Sequence, residues 1–175
     1  MTEKPEIVQL GADVLRRTAR PVDDFSDAKF PQLLAVLRDA MLESNGVGIA
    51  APQLGASWRI IIVASRPTVR YPNAPEMPPI VMVNPSFQIV DDSLHKDWEG
   101  CLSVPGIRAL VPRFRAIQVN YRDEKGREQD LVLEDFPARV FQHEYDHLEG
   151  LVYLDRLESN RDIISELEFF KRIAA

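Results

Sequence analysis

The segment His143-Glu144-Tyr145-Asp146-His147 constrains this chain more than any other. It lies in a stretch that reads as a helix from about Phe136 or Pro137 to Leu148. Asp135 can cap that helix, Pro137 is tolerated only in a first turn, and Gly150 supplies a stop. Residues four apart share one helix face, so both imidazoles can reach one metal ion. Glu144, beside the first of them, carries a carboxylate that can work on water without being a ligand. Two ordinary, partly buried histidines would not need a glutamate in that slot.

Two histidines leave a catalytic metal site incomplete, because three protein ligands and an open position are expected. One known pattern continues HExxH with a glycine and a third histidine. Here Gly150 is in place, but Tyr153 stands where the histidine would be. A downstream glutamate is a second route. Glu166 and Glu168 lie at about the right distance, on a segment that reads as an independent amphipathic helix. The remaining candidate is the chain's single cysteine, Cys101, in Glu99-Gly100-Cys101-Leu102-Ser103. Its thiolate would complete a Cys-His-His set. An isolated cysteine is ordinarily a small buried hydrophobe, but Gly100 beside it allows close backbone approach. A closed structural site would need a fourth ligand. His95 is the candidate, in the run Asp91 to Lys96 that reads as an exposed turn.

A third segment, Gly46-Val47-Gly48-Ile49-Ala50-Ala51-Pro52-Gln53, lets backbone pass close to a ligand and offers the two amide donors of Gln53. A helix cap followed by a tight loop explains the same residues. No Gly-Lys-Ser/Thr follows to make a phosphate loop.

Around these segments the chain reads as α+β: mostly antiparallel β-sheet around the central HExxH helix, with one helix before and one after. The first helix follows Ser26 and Asp27, has Pro31 in its first turn and Leu33, Leu34, Leu37, Ala40 and Met41 at helical spacing, and stops at Asn45-Gly46. Strands are expected at Arg59 to Ala64, at Ile80 to Val83 and around Phe87, Ile89 and Val90. A hairpin should join Ala116–Tyr121 to Asp130–Leu133. Five prolines make Arg66 to Pro79 a surface loop. The last helix should cover Arg161 to Ile173, with Ile163, Ile164, Leu167, Phe170 and Ile173 on one face.

The 175 residues suit one catalytic domain spanning 1–175, and 45% hydrophobic content with a net charge of -6 excludes disorder as the dominant state. With 27 acids against 21 bases, an extended nucleic-acid footprint is not expected. A lone cysteine excludes an internal disulfide, and no apolar run approaches the roughly 20 residues of a membrane helix. The opening Met1 to Glu6 has no apolar leader, so a cytoplasmic protein is expected.

Together, Gly46 to Gln53, Glu99 to Ser103 and Gln142 to His147 resemble, in that order, the three signature segments of the peptide deformylases. The likeness extends from about Ile7 to Leu157 and includes Ile107 to Arg113. It implies an α+β fold and one divalent ion per chain, Fe(II) in the cell, with Zn, Ni or Co able to replace it. It implies removal of formyl from the N-terminal methionine of nascent polypeptides, through attack on the formyl carbon by water activated at the ion. Carried over by position, Cys101, His143 and His147 would be the metal ligands and Glu144 the general acid/base. Gln53 and the Leu102 N–H would hold the oxyanion. Val47, Gly48 and Gly100 would pair with the substrate backbone, Val47, Phe136 and Val140 would line the methionine slot, and Glu99 and Arg113 would support the ligands from behind.

Two positions depart from the family. Gly11-Ala12-Asp13 replaces its early Pro-Asp pair. Its C-terminal helix, often basic and associated with a transient ribosome contact, is here neutral: Asp162, Glu166 and Glu168 balance Arg161, Lys171 and Arg172. That balance weakens electrostatic anchoring to RNA.

Overall fold

An unbroken apolar run such as Ile60-Ile61-Ile62-Val63-Ala64 suits a strand covered on both faces, and the fold is built around it. The computed structural model describes residues 6–174; the opening Met1–Pro5, on which the expectation about a leader rests, lies outside the described residues. The elements in chain order are α1 (Lys29–Glu43), β1 (Gly48–Ala50), β2 (Ile60–Ser65), β3 (Met77–Cys101), β4 (Val104–Arg122), β5 (Glu128–Glu134), α2 (Asp135–Leu148), β6 (Ile163–Ser165) and α3 (Glu166–Ile173). The strands form one antiparallel sheet in the order β1-β2-β3-β4-β5, with β6 added to the start of β4 at Ile107–Ala109.

β2 alternates between two cores. Ile60, Ile62 and Ala64 face α1, where they meet Phe30, Leu34, Leu37, Ala40 and Met41; Ile61 and Val63 face α2, where they meet Ala138, Val140, Phe141 and Leu148. The sheet is thus sandwiched between two helices at its β1-β2 end. Both helices stop in the same way. Asn45 (φ 53) and Gly150 (φ 73) take the left-handed position, and the next amide bonds back to the helix, Gly46 N–H to the Met41 carbonyl and Leu151 N–H to the Asp146 carbonyl, each at 2.9 Å.

Five local expectations are corrected. The two short strands expected at 80–83 and near 87–90 are parts of one strand, β3. The run Asp91 to Lys96 is also in β3 and forms no turn: His95 stands opposite Arg113. Register shifts at 83/86, 89/91, 91/94 and 99/101 accommodate the irregular polar stretch; the partner β4, rather than any apolar alternation, holds it extended. Asp135 does not cap α2. It adopts φ 49, and its carboxylate pairs with Arg115 at 3.0 Å. Ser26 and Asp27 lie before α1, whose N-cap is Ala28 without a side-chain bond, although Asp27 accepts from the Lys29 N–H at 2.9 Å.

The fifth correction concerns the C-terminus. Ile163 and Ile164 belong to β6, the final helix begins only at Glu166, and its buried residue is Phe169 while Leu167 is 67% exposed. β-branched isoleucines were available to a neighbouring strand, and pairing with β4 outcompeted the helical period.

Candidate metal centre

α2 docks against the sheet through polar side chains as well as hydrocarbon. Gln142 acts as a strand would, accepting from the Phe114 N–H at 3.0 Å and donating to the Phe114 carbonyl at 2.9 Å. Arg139 donates to the carbonyls of Val111 at 2.8 Å and His95 at 2.5 Å. These bonds set the helix rotation, and with it the direction of His143 and His147.

The end of β3 meets that face. One ligand atom each from Cys101, His143 and His147 lie within 4.8 Å of one another, with the Cys101 sulfur 3.3 Å from His147 Nε2. His143 Nδ1 lies 2.9 Å from Glu99 Oε2; with Nδ1–H donating there, the neutral ring keeps its Nε2 lone pair for an ion. The donors are one thiol and two imidazoles, soft and borderline groups that suit a divalent transition metal. Neither Glu166 nor Glu168 joins them: Glu166 binds Arg108 and Glu168 binds Lys171. His95 is not in the cluster either.

The electrostatics favour a cation here. Burial raises the Cys101 thiol, but His147 and His143 more than reverse it and its pKa falls to about 5, toward the thiolate that binds metals. Burial opposes charge on His143, yet Cys101 and Glu99 outweigh burial and hold its pKa well above the ordinary value. Glu144 behaves oppositely. Burial dominates, partly offset by the two imidazoles, and pushes its carboxyl up to about 7. Its Oε2 is buried without a hydrogen-bond partner among the described residues, as is His147 Nδ1. An unpartnered buried carboxylate oxygen beside a three-donor cluster fits a metal site that handles a proton.

Glu99 carries the support. Burial works against its charge, but Arg113, bidentate at 2.9 and 3.0 Å, and His143 hold it ionised far below the usual carboxylate range. Arg139 adds a third donor at 2.8 Å. Arg113 also reaches Asp146 at 2.6 Å, and Asp146 in turn accepts from Arg156 at 2.7 Å. This chain of alternating charges runs from His143 to the surface. Asp146, Arg139 and Arg156 were not foreseen from sequence. Arg139 stands four residues before His143, and Asp146 three after it, so helical spacing places all three on one face.

A cleft opens to solvent beside the cluster, lined by Val47, Gly48, Gln53, Glu99, Gly100, Cys101, Leu102, Phe136, Val140, His143 and Glu144 among others. The expected residues therefore converge, except Arg113 and His147, which lie behind its wall. Gln53 Oε1 accepts from the Ala50 N–H at 2.9 Å, which fixes the amide so that Nε2 points at the Cys101 sulfur (3.5 Å) and Ser103 Oγ (3.3 Å). Gly48 has no room for a side chain: a Cβ there would collide with Glu144. Gly48 is also in β1, an end strand of the sheet, whose second edge has no partner strand among the described residues. The proline-rich loop contributes Arg70 and Tyr71 to the cleft, and the Tyr71 ring lies 4.8 Å from that of Phe136. Nothing in the loop's composition signals that contribution.

Comparison with known proteins gives one consistent result. The family profile described as polypeptide deformylase matches residues 4–162. Peptide deformylase 2 of Nostoc sp. is 51% identical over 163 residues, covering 93% of this chain and 91% of that protein. Among solved structures, the Met-Ala-Ser-bound class I type b peptide deformylase from Acinetobacter baumannii superposes with a TM-score of 0.86 at 43% identity, covering 90% of this chain and all of the other. An actinonin-bound peptide deformylase from Synechococcus elongatus gives 0.80 at 32% identity, covering 99% and 88%.

Proposed function

Because the chain belongs to the polypeptide deformylase family, hydrolases that remove the N-terminal formyl group from nascent polypeptides, we propose that its cleft does so with Cys101, His143 and His147 holding one divalent ion and Glu144 moving the proton. The observation that carries this assignment is the convergence of three ligand atoms within 4.8 Å beside the unpartnered carboxylate of Glu144. An ion held by Cys101, His143 and His147 would supply a Lewis acid able to lower the pKa of water from about 15.7 toward neutrality.

The remaining work falls to the chain's own groups. Glu144, with a pKa near 7, takes a proton from the attacking water and gives it to the departing amine, so that formate and a free N-terminal amine leave together. Gln53 Nε2 and the Leu102 N–H donate to the formyl oxygen as it gains charge. One such donor is worth on the order of 3 kcal/mol in the transition state. Gly48 on the open edge of β1, with Val47 and with Gly100 across the cleft, pairs with the substrate main chain as an added strand. Val47, Phe136 and Val140 line an apolar slot for the methionine side chain, and Tyr71 closes it against Phe136. Glu99, held by Arg113 and Arg139, orients His143 through Nδ1.

Several finer points belong to this reading. Fe(II) is the ion assigned in the cell, with Zn, Ni or Co able to stand in, on the strength of the family likeness. The whole chain acts as one catalytic domain, since α1 and α2 share β2. No helix among the described residues is long and apolar enough to cross a membrane, and a cytoplasmic address follows from where formylated chains are made. A ribosome contact through α3 has little charge to work with: Glu168 binds Lys171, and Glu166 is engaged by Arg108.

The test is anaerobic metal analysis paired with formate release from formyl-Met-Ala-Ser. The unsubstituted protein should carry about one metal per chain and release formate, and Cys101→Ala should lose both. Full metal occupancy in Cys101→Ala would overturn the ligand assignment.

A further inference from the structure

Arg108 is a cation in a place that costs much to reach. It lies on β4 with its side chain 3% exposed, outside the ligand cluster and outside the Glu99–Arg113–Asp146 chain. Among the described residues its ion-pair partner is Glu166, the first residue of α3, whose Oε1 accepts from Nη2 at 2.5 Å and from Nε at 3.2 Å. The ring of Phe169, one turn on, lies 5.2 Å from the guanidinium carbon. Glu166 is set in place twice: β6 pairs Ile163, Ile164 and Ser165 with Ala109, Arg108 and Ile107, and Ser165 Oγ caps α3 by accepting from the Glu168 N–H at 3.2 Å.

The other end of Arg108 touches the cleft. A Cβ on Gly100 would collide with Nη1, Cζ and Nε of Arg108, so the guanidinium occupies the space a Gly100 side chain would need. Gly100 falls at the register shift between Glu99 and Cys101, where β3 lacks regular pairing to hold it. Arg108 Nη1 also donates to the Tyr71 hydroxyl at 3.4 Å, reaching the wall formed by Tyr71 and Phe136. One guanidinium therefore backs both sides of the peptide-binding cleft, and one carboxylate from the C-terminal helix holds that guanidinium.

We propose that Glu166 is a positioning residue for the substrate cleft: acting through Arg108, it holds the Gly100 segment and the Tyr71 wall in the shape that grips the peptide. The proposal rests on the reading above that Gly100 pairs with the substrate backbone. Without Glu166 the buried guanidinium loses its charge partner and turns toward another acceptor or solvent, and the irregular stretch of β3 loses its backing. Among the described residues the hydrogen bonds and ion pairs of Arg108 and Glu166 go to each other and to Tyr71, not to the metal ligands or Glu144, so binding should suffer and the chemical step should not.

The experiment measures kcat and KM for formyl-Met-Ala-Ser, and calorimetric affinity for the product Met-Ala-Ser, on metal-loaded protein. Glu166→Ala should raise KM and weaken product binding by about tenfold, with kcat within about twofold and metal content unchanged. Glu166→Gln, which keeps an acceptor in place and serves if the alanine variant misfolds, should recover part of the loss. Glu168→Ala, in the same turn of α3 but paired with Lys171, should leave KM unchanged. Arg108→Lys cannot reproduce the planar fork, so it should raise KM similarly and add little to Glu166→Ala. An active enzyme whose Glu166→Ala variant keeps its KM and product affinity, or loses kcat instead, overturns this proposal alone. An unsubstituted enzyme that releases no formate brings down both readings.

Discussion

α1 and α2 cover opposite faces of one strand, and they do so with different chemistry. The five buried residues of α1 are Phe30, Leu34, Leu37, Ala40 and Met41, all hydrocarbon or thioether. α2 buries Ala138, Val140, Phe141 and Leu148 against the same strand, but also Arg139, Gln142, His143, Glu144, Asp146 and His147. Hydrocarbon contact is non-directional, so the α1 face supplies cohesion and tolerates small rotations. The α2 face is tied by Gln142 to Phe114, by Arg139 to His95 and Val111, and by Glu99 to three donors, so the side chains in these bonds each have one productive position. A single sheet thus separates the two needs of an enzyme. One face holds the molecule together, and the other holds atoms in place.

Substitutions on the two faces should fail in different ways. The largest effect is expected for Glu144→Ala, which should cut formate release by about 10²- to 10⁴-fold while retaining metal, as read by formate assay and metal analysis. Normal turnover in that variant would remove Glu144 from the reaction. Arg113→Ala should follow, because it removes the one cation shared by the buried carboxylates, leaving Glu99 with Arg139 and His143 and Asp146 with Arg156; chemical denaturation should show a loss of about 3 kcal/mol together with weakened metal retention. Leu37→Ala, fully buried beneath α1, should cost about 2–5 kcal/mol, yet kcat/KM per folded molecule should match the parent. A lowered kcat in Leu37→Ala would show that the two faces are mechanically coupled and would break the division drawn above. The smallest change is expected for Arg115→Ala: its partner Asp135 is as exposed as itself, and the loss should stay below about 1 kcal/mol.

How far the sequence spoke depended on the range of the interaction. The spacing of His143 and His147, the end of α2 at Leu148, the Asn45 and Gly150 stops and the apolar strand β2 all follow from local period and backbone preference, and the structure agrees with each. The failures cluster where a distant partner decided the outcome. The Asp91–Lys96 run is extended because β4 lies beside it, and Ile163–Ser165 left the helix because β4 offered a second edge. Tyr71 reached the cleft from a loop whose prolines indicate only exposure.

From the sequence alone came the imidazole pair, a carboxylate beside it and a short roster of third ligands, because chemistry that repeats every helical turn is written in neighbouring letters. Choosing Cys101 over Glu166 on geometry required the folded chain. Sequence separation says nothing of which side chain already has a partner, and the fold commits Glu166 to the buried Arg108 while bringing the Cys101 sulfur within 3.3 Å of a histidine 46 residues away.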